Sequence, residues 1–342
     1  MGPPAEPDEL RRAIAPYTQA SVPRGAGDVL TSVVPYVGLL AAMYVLAGIS
    51  VWLPIALAVP AAGFLVRTFI VFHDCSHNSF LPSRRANALV GAFCGMLVYS
   101  PFHSWRHEHA VHHATAGDLD KRGMGDVGTW TVAEYRQATP GARRAYRLVR
   151  NPVVMLGLGP IWALMIKPRL VPRWARARFG SRILATDAII VAAIAGLVVA
   201  FGWKDVLIVQ LSTAMLAGAT GIWLFYVQHQ FEDVYWERHE DWDYATAALH
   251  GSSYLRLPKV LQFFTGNIGL HHVHHLNAKI PNYNLQRAHD SHPVFATAPR
   301  LSLGDGIRAL RLKLYDEDAR RMVGFAAARR ANRAAAPTAP AA

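Results

Sequence analysis

Residues 29–66 read VLTSVVPYVGLLAAMYVLAGISVWLPIALAVPAAGFLV, a run without Asp, Glu, Lys or Arg. One helical crossing of a bilayer takes about 20 apolar residues, so the run is long enough for two crossings. Gly48, Ser50 and Pro54 lie near its middle, where a tight turn would join two antiparallel helices. The run therefore predicts a transmembrane helical hairpin.

A second hairpin is predicted further along the chain. Residues 188–203 and 206–228 are uncharged, and the second of these runs is long enough to cross a bilayer as one helix. Lys204 and Asp205 separate the two runs and are predicted to make the turn. The sequence thus favours four membrane-spanning helices in two hairpins.

Two shorter apolar runs remain, at residues 86–102 and 151–166. Each is at or below the lower margin of a spanning length and is interrupted by glycine, and the second also contains Pro160. We therefore expect both to be interfacial or re-entrant segments. The predicted fold class is an all-α integral membrane protein with a helical cytoplasmic cap.

The composition agrees with this fold class, because 52% of the residues are hydrophobic and only 17% are charged. The net charge of +12 is concentrated outside the hairpins: residues 103–182 contain 14 Lys or Arg and 5 Asp or Glu. By the positive-inside rule, this segment and both termini are expected on the cytoplasmic side, in the inner membrane of a bacterium. The basic residues are too dispersed to favour nucleic-acid binding. Two cysteines exclude a disulfide-stapled secreted scaffold.

Three histidine clusters follow the ends of apolar segments. His73 and His77 are four residues apart, and residues 109–113 and 271–275 each place three histidines at positions i, i+3 and i+4. On a helix, these spacings bring the imidazoles to one face, from which they can reach a common metal-binding region. Three such clusters are hard to obtain by composition alone, so we interpret them as metal ligands.

His229 ends the last predicted span and is added as a ninth ligand. Nine imidazoles exceed what a tetrahedral zinc site takes, and they suffice for two metal ions with open positions. Imidazole ligands alone leave zinc, copper, iron and nickel open. The predicted ligands are His73, His77, His109, His112, His113, His229, His271, His274 and His275.

The three clusters read HDCSH (residues 73–77), HAVHH (109–113) and HHVHH (271–275), and Trp105-Arg106 precede the second. In these boxes, and over residues 30–290 as a whole, the chain resembles the integral-membrane fatty acid desaturases. It is most similar to the acyl-lipid desaturases of the delta-12/omega-6 type. Gly266-Asn267-Ile268-Gly269-Leu270, which lead into the third box, belong to the same resemblance.

The resemblance implies two iron ions held by the box histidines, with the site on the cytoplasmic face. It also implies the insertion of a cis double bond into an acyl chain with O₂ and two electrons, supplied by a ferredoxin or, as second choice, a cytochrome b5-type donor. An alkyl C–H bond is not acidic enough for a protein base, so a metal must activate oxygen. Whether His271 or His272 is the ligand stays open, although the family pattern makes His272 the spacer. The bond position, the acyl carrier and the oligomeric state also stay open.

Two alternatives remain. The same boxes would support a sister di-iron hydroxylase or carotenoid ketolase, whose product gains oxygen where a desaturase product loses two hydrogens. A histidine-rich metal transporter is the remote alternative. Transport sites lie near the middle of the bilayer with polar residues inside the spans, whereas the predicted spans are nearly free of ionisable groups.

Ligating imidazoles usually donate their second N–H to a carboxylate or a carbonyl, so carboxylates near the boxes are candidate orienting groups. The candidates are Asp74, Glu108, Glu232 and Asp233. Cys75 lies between the two histidines of the first box and is predicted to pack rather than to ligate.

These predictions divide the chain into six segments. Residues 1–28 contain no apolar core, so we expect a cytoplasmic segment without a cleavable signal peptide. The others are the first hairpin (29–72), a cytoplasmic region with the first two boxes (73–183), the second hairpin (184–228), a cytoplasmic region with the third box (229–325) and a disordered tail (326–342).

Overall fold

The computed structural model describes residues 7–327, and this part of the chain is mostly helical. The α-helices are α1 (Pro7–Ile14), α2 (Val22–Ala47), α3 (Trp52–Ser76), α4 (Arg84–Leu97), α5 (Phe102–Thr115), α6 (Val132–Gln137), α7 (Pro140–Val149), α8 (Pro152–Gly157), α9 (Arg173–Phe201), α10 (Trp203–His229), α11 (Tyr244–His250), α12 (Lys259–Phe264), α13 (His271–Leu276), α14 (Asn282–Asp290) and α15 (Leu303–Ala309). Short 3₁₀ turns occur at Ala15–Thr18, Lys167–Arg169 and Pro293–Thr297, and Ile161–Ile166 form a π-helical turn. Most of the tail predicted to be disordered lies outside the described residues.

Four helices in the described part of the chain, α2, α3, α9 and α10, are long and apolar enough to cross a membrane. The predicted all-α fold class, with four helices that are candidate membrane spans, is therefore confirmed, and their topology in the membrane stays a prediction. Both helices of the first hairpin extend beyond the uncharged run, since α2 begins at Val22 and α3 continues to Ser76. The extension of α3 places the first histidine box in its last turn.

The turn of the second hairpin differs from the prediction. The break falls at Gly202, whose φ of 82° lies in the left-handed region that favours glycine. Lys204 and Asp205 belong to the first turn of α10. The prediction that they form the turn is wrong because it relied on charge, whereas the chain reverses where the backbone can take a positive φ.

Helix α3 lies at the centre of the bundle and packs against α2, α4 and α10. Helix α9 is the peripheral span, and its apolar side chains Ile189, Val191 and Val199 are exposed. Exposed apolar surface of this kind on a spanning helix matches contact with lipid. The arrangement surrounds α3 with protein and leaves α9 at the outside.

The two shorter apolar runs are broken into short elements. Residues 86–102 divide into α4 and the start of α5, and residues 151–166 divide into α8 and the π-helical turn at Ile161–Ile166. Neither run forms a helix long enough to span a membrane. Their placement at the membrane surface stays a prediction.

Five short strands, absent from the prediction, tie the hydrophilic regions together. They are β1 (Trp130–Thr131), β2 (Tyr254–Leu255), β3 (Arg300–Leu301), β4 (Leu314–Asp316) and β5 (Arg321–Val323). Strand β1 pairs in parallel with β4, which pairs antiparallel with β5, and β2 pairs in parallel with β3. The first sheet fastens the C-terminal part of the described chain to the segment that follows the second histidine box.

Candidate metal centre

Four helices bring the nine predicted ligands together. His73 lies in the last turn of α3 and His77 directly follows that helix, while His229 is the last residue of α10. The second box lies on α5 and the third on α13. Because α3 packs against α5 and α10, the ends of helices far apart in sequence converge on one place.

The nine imidazoles form two groups, and within each group one ring nitrogen per residue lies within 4.8 Å of the others. We name them the five-histidine group and the four-histidine group. The five-histidine group contains His73, His77, His109, His113 and His274. The four-histidine group contains His112, His229, His271 and His275. Eight of these nine residues are buried, and His77 is partly exposed, although Nε2 of its ring is buried.

The distances between ring nitrogens fit shared metal ions. Nε2 of His113 lies 3.2 Å from Nε2 of His109 and 2.9 Å from Nε2 of His274. In the other group, Nε2 of His229 lies 3.0 Å from Nε2 of His271. Nitrogens that bind one metal at about 2.1 Å are about 3.0 Å apart when the bonds meet at right angles. A neutral imidazole nitrogen makes one hydrogen bond, so hydrogen bonding does not account for both contacts of His113.

Unpartnered nitrogens point to the same conclusion. Nε2 of His77, His112 and His275 is buried and has no hydrogen-bond partner among the described residues. Buried polar atoms are normally satisfied, so these three atoms fit the role of donors to a metal ion. Two groups of five and four imidazoles match two metal ions, each with room for further ligands.

Three ligand candidates have their Nδ1 held by an acceptor. Nδ1 of His73 lies 2.9 Å from Oδ1 of Asp74, and Nδ1 of His229 lies 3.1 Å from the carbonyl oxygen of Gly251. Nδ1 of His112 is hydrogen-bonded to Oδ1 of Asp126. An acceptor on Nδ1 fixes the tautomer and aims Nε2 at a metal. Such acceptors occur in both groups.

Sequence reasoning missed Asp126. This carboxylate lies in a loop after the second box, and Gly125 precedes it with a φ of 76°. A Cβ on Gly125 would come within 2.8 Å of the carbonyl oxygen of Glu108 and 3.1 Å of Cβ of His112, so the loop packs directly against α5. The sequence signal that could have indicated this loop was the pair of glycines at positions 123 and 125. In the structure both have a positive φ, which favours glycine.

The predicted orienting carboxylates have mixed outcomes. Asp74 contacts His73, and its Oδ2 also accepts from the backbone N–H of Asn282 at 2.6 Å. Glu108 is instead paired with Lys167 at 2.8 Å. Glu232 and Asp233 are exposed, so the prediction that they orient a ligand is wrong. Their position three and four residues after His229 did not bring their side chains to the site.

Electrostatics favours the metal-binding form of the rings. Burial, followed by repulsion between neighbouring imidazoles, lowers the pKa of the rings outside the spans well below the ordinary value. These rings are His77, His109, His113, His271, His274 and His275. They are therefore neutral at physiological pH, and neutral imidazole is the form that binds metal.

The structure distinguishes His271 from His272. His271 belongs to the four-histidine group, whereas Nε2 of His272 lies 3.1 Å from Nδ1 of His289, on another side of α13. Cys75 is fully buried in the core around α3 and belongs to neither histidine group. The placement of both residues agrees with their predicted roles as spacer and packing residue.

A cavity of about 710 Å³ opens beside both groups. His73, His109 and His271 form part of its wall. Much of the rest is apolar, and includes Val66, Phe69, Val98, Leu164, Ile222 and Phe225. The volume lies in the range of small-molecule sites. The cavity can therefore hold a hydrophobic chain against the histidine groups.

Comparison with known proteins identifies the family. The family model described as fatty acid desaturase matches residues 23–303. The chain belongs to this family. A fatty acid desaturase of Bacillus subtilis (strain 168) is 43% identical over 319 residues, which cover 93% of this chain and 91% of that protein. Desaturation is an oxidation of a lipid substrate, so membership of this family makes the chain an oxidoreductase. Its four long apolar helices indicate an integral membrane protein.

Two cyanobacterial desaturases are more distant relatives. An sn-1 oleoyl-lipid 12-desaturase of Synechocystis is 30% identical over 239 residues, or 66% of this chain and 64% of that protein. An sn-1 acyl-lipid omega-3 desaturase (ferredoxin) of the same organism is 28% identical over 297 residues, or 82% of this chain and 78% of that protein. The resemblance predicted from the boxes is confirmed at the level of the family.

Proposed function

We propose that this protein introduces a cis double bond into an acyl chain of a membrane lipid, using two iron ions, O₂ and two electrons from a separate protein. The observation that carries the proposal is the position of two buried groups of imidazoles on the wall of one apolar cavity. An acyl chain in the cavity would lie beside both groups.

The nine histidines are the proposed ligands, with His73, His77, His109, His113 and His274 at one ion and His112, His229, His271 and His275 at the other. Bound iron would supply the oxygen activation needed to break two unactivated C–H bonds. The reaction balances as R–CH₂–CH₂–R plus O₂, two electrons and two protons, giving R–CH=CH–R and two water molecules. Asp74, Asp126 and the carbonyl of Gly251 hold Nδ1 of three ligands and thereby orient their Nε2 atoms.

The cavity wall performs the other tasks that the reaction requires of the protein. Apolar side chains from α3 and α10, such as Leu65, Phe69 and Phe225, exclude water from the space beside the histidines. Trp105 lies against His109 with its ring stacked at a centroid distance of 4.4 Å, which fixes the orientation of that imidazole. A rigid wall of this kind holds one segment of the acyl chain next to the site.

The proposed electron donor is an acidic protein such as a ferredoxin. His77 is the partly exposed member of the five-histidine group, and Nζ of Lys279 donates to its backbone carbonyl at 2.5 Å. Partial burial, followed by the positive charges of Arg106 and Arg84, lowers the pKa of Lys279. The positive charges of Arg106 and Arg84 thus act on Lys279, the cation that contacts His77. A negatively charged donor would be attracted to the point where the site is nearest to solvent.

The proposed location is the inner membrane of a bacterium, with the histidine groups and both termini on the cytoplasmic side. The basic residues between 103 and 182 support this orientation by the positive-inside rule. The proposed segments are those of the sequence analysis, with hydrophilic regions at 1–28, 73–183 and 229–325 and hairpins at 29–72 and 184–228.

Expression in a bacterial host that makes only saturated and monounsaturated fatty acids tests the activity. We expect lipid fatty acids that are two mass units lighter than their precursors, and no such product from the matched variant His274→Ala. Products that have gained an oxygen atom would instead identify a hydroxylase or a ketolase. The absence of any new product, with an electron donor coexpressed, would contradict the proposal.

A further inference from the structure

Four charged side chains other than histidine lie on the cavity wall: Glu108, Asp126, Arg150 and Lys167. Three of them have a described partner: Glu108 forms an ion pair with Lys167, and Oδ1 of Asp126 is hydrogen-bonded to Nδ1 of His112. Arg150 is the exception. No carboxylate among the described side chains forms an ion pair with it.

Arg150 is buried, with 4% of its surface exposed. Its Nη2 donates to Oε1 of Gln230 at 2.6 Å, but Nε and Nη1 have no hydrogen-bond partner among the described residues. The guanidinium carbon lies 4.9 Å from the ring centre of Tyr226 and 5.8 Å from that of Tyr146. Leaving N–H groups of a buried cation unpaired is costly, so a partner for them is expected.

A second buried cation lies next to Arg150. Lys313 is 5% exposed, and its Nζ is 3.4 Å from the hydroxyl of Tyr226. Burial, followed by the positive charge of Arg150, lowers the pKa of Lys313 to about 8. No described carboxylate pairs with Lys313 either. Two positive charges are thus buried side by side without a negative charge.

Another buried arginine shows how this protein ordinarily neutralises such a charge. Arg67, which is 8% exposed, lies 2.7 Å from Oδ1 of Asp28. Arg150 and Lys313 lack such a partner, although they are at least as buried. The missing negative charge would therefore come from a ligand, and the cavity on which Arg150 lies gives a ligand access.

We propose that Arg150 binds the phosphate of the glycerophospholipid whose acyl chain occupies the cavity, and that the charge of the neighbouring Lys313 adds to the attraction. This inference rests on the proposed function for the identity of the chain beside the histidines. Arginine is well suited to a phosphate, because its N–H groups match two oxygens at once. An uncharged glycerolipid would leave both cations unpaired. The pair therefore selects phospholipids over neutral lipids.

Arg150 has one competing role. Through Gln230, which also donates to the backbone carbonyl of His229 at 2.8 Å, it could merely brace the end of α10. Bracing would affect every substrate equally and would change the metal site. Binding of a phosphate would affect charged substrates alone.

The decisive experiment measures binding to the purified, metal-loaded protein in a nonionic detergent. The probes are dihexanoyl phosphatidylglycerol, uncharged dihexanoylglycerol and inorganic phosphate. Trp130, which lies on the cavity wall with its ring stacked on Tyr146 at 4.3 Å, provides a fluorescent reporter. Isothermal titration calorimetry provides a second readout.

We expect Arg150→Gln to weaken binding of the phospholipid about 10-fold or more, because it removes a charge-assisted contact. Lys313→Gln should weaken it about 3-fold, because it removes a neighbouring positive charge. Binding of dihexanoylglycerol should change less than about 2-fold, and the metal content should not change. Arg144→Gln, which removes an exposed charge from the same helical segment, is the matched control. Inorganic phosphate should bind more weakly than the phospholipid.

Equal loss of affinity for the charged and the uncharged lipid would overturn the proposal in favour of bracing. Inorganic phosphate that binds as tightly as the phospholipid would overturn the assignment to a lipid headgroup. If Arg150→Gln fails to fold, unchanged affinity of Lys313→Gln for the phospholipid overturns it. If the wild type binds the phospholipid selectively but desaturates no lipid, the proposed function fails while the phosphate site stands.

Discussion

The five-histidine and four-histidine groups are built from the same kinds of ligand but differ in origin and exposure. The first takes rings from all three boxes and includes the partly exposed His77. The second takes none from the first box, uses His229 instead, and is entirely buried. The first group therefore has an additional ligand and contact with the surface, whereas the second has neither.

Both groups take ligands from α5 and from α13, but the helix positions that supply each group are reversed between the two helices. On α5, the i and i+4 residues His109 and His113 belong to the five-histidine group, and His112 belongs to the other. On α13, His271 and His275, at positions i and i+4, belong to the four-histidine group, and His274, at position i+3, belongs to the five-histidine group. Each of these two short helices thus links both groups, so a shift of either helix would disturb both.

The largest expected effect tests whether both groups can exist at all. The five-histidine group needs all three boxes on one side of the membrane, and the four-histidine group needs the second and third boxes on one side. In a variant lacking Cys75 and Cys94, we introduce single cysteines at the exposed positions Ser83, Ala114 and Asp290. We expect each to react with an impermeant thiol reagent from the cytoplasmic side only, and a cysteine at Lys204, in the first turn of α10, from the outside only.

Labelling of the cysteine at position 114 from the outside would place the second box across the bilayer from the first. It would contradict both groups together. Activity of each cysteine variant serves as the control that the fold is retained.

The next effect distinguishes the groups from each other. His112→Ala leaves three rings in the four-histidine group, whereas His274→Ala leaves four in the five-histidine group. We expect activity to fall by at least about 100-fold in both variants, since loss even of an orienting partner costs about 10- to 100-fold. Bound iron, measured by mass spectrometry of the purified protein, should fall from two ions per chain to about one, more completely for His112→Ala.

His272→Ala is the matched control, because this ring lies in the third box but belongs to neither group. It should retain both ions. Full iron content and full activity in His112→Ala or His274→Ala would show that the substituted ring is not a ligand.

A smaller effect concerns the orienting carboxylates. Asp126→Ala removes the acceptor from Nδ1 of His112, and we expect activity and iron affinity to fall about 10- to 100-fold. Asp126→Asn should lose less, because its amide oxygen can still accept. Asp120→Ala, at an exposed carboxylate, is the control. Unchanged iron affinity in Asp126→Ala would show that Asp126 does not support the four-histidine group.

The sequence predicted the hairpins and the ligand candidates because both depend on local patterns. Uncharged length determines a span, and the spacing of histidines determines which side of a helix they share. The distribution of ligands between two groups was not predictable, since it depends on how α5 and α13 cross in space. Asp126 was missed for the same reason, because a loop brings it back against α5. Arg150 was counted among the basic residues of the cytoplasmic side, and only its burial separates it from them.

The smallest expected effect tests whether the electron donor binds beside His77, the partly exposed member of the five-histidine group. Arg84 is exposed, and its positive charge acts on Lys279, which donates to the backbone carbonyl of His77. If an acidic ferredoxin docks there, Arg84→Glu should raise the KM for ferredoxin about 3- to 10-fold at low ionic strength, through loss of attraction. The kcat and the iron content should stay at the wild-type values. The difference in KM should shrink as salt is added, since screening weakens exposed charges most.

Arg144→Glu, an equal charge reversal at an exposed position on α7, should leave the KM unchanged. The same rise in KM for both variants would mean that net charge, rather than the surface beside His77, governs donor binding, and the functional distinction between the exposed and the buried group would be lost.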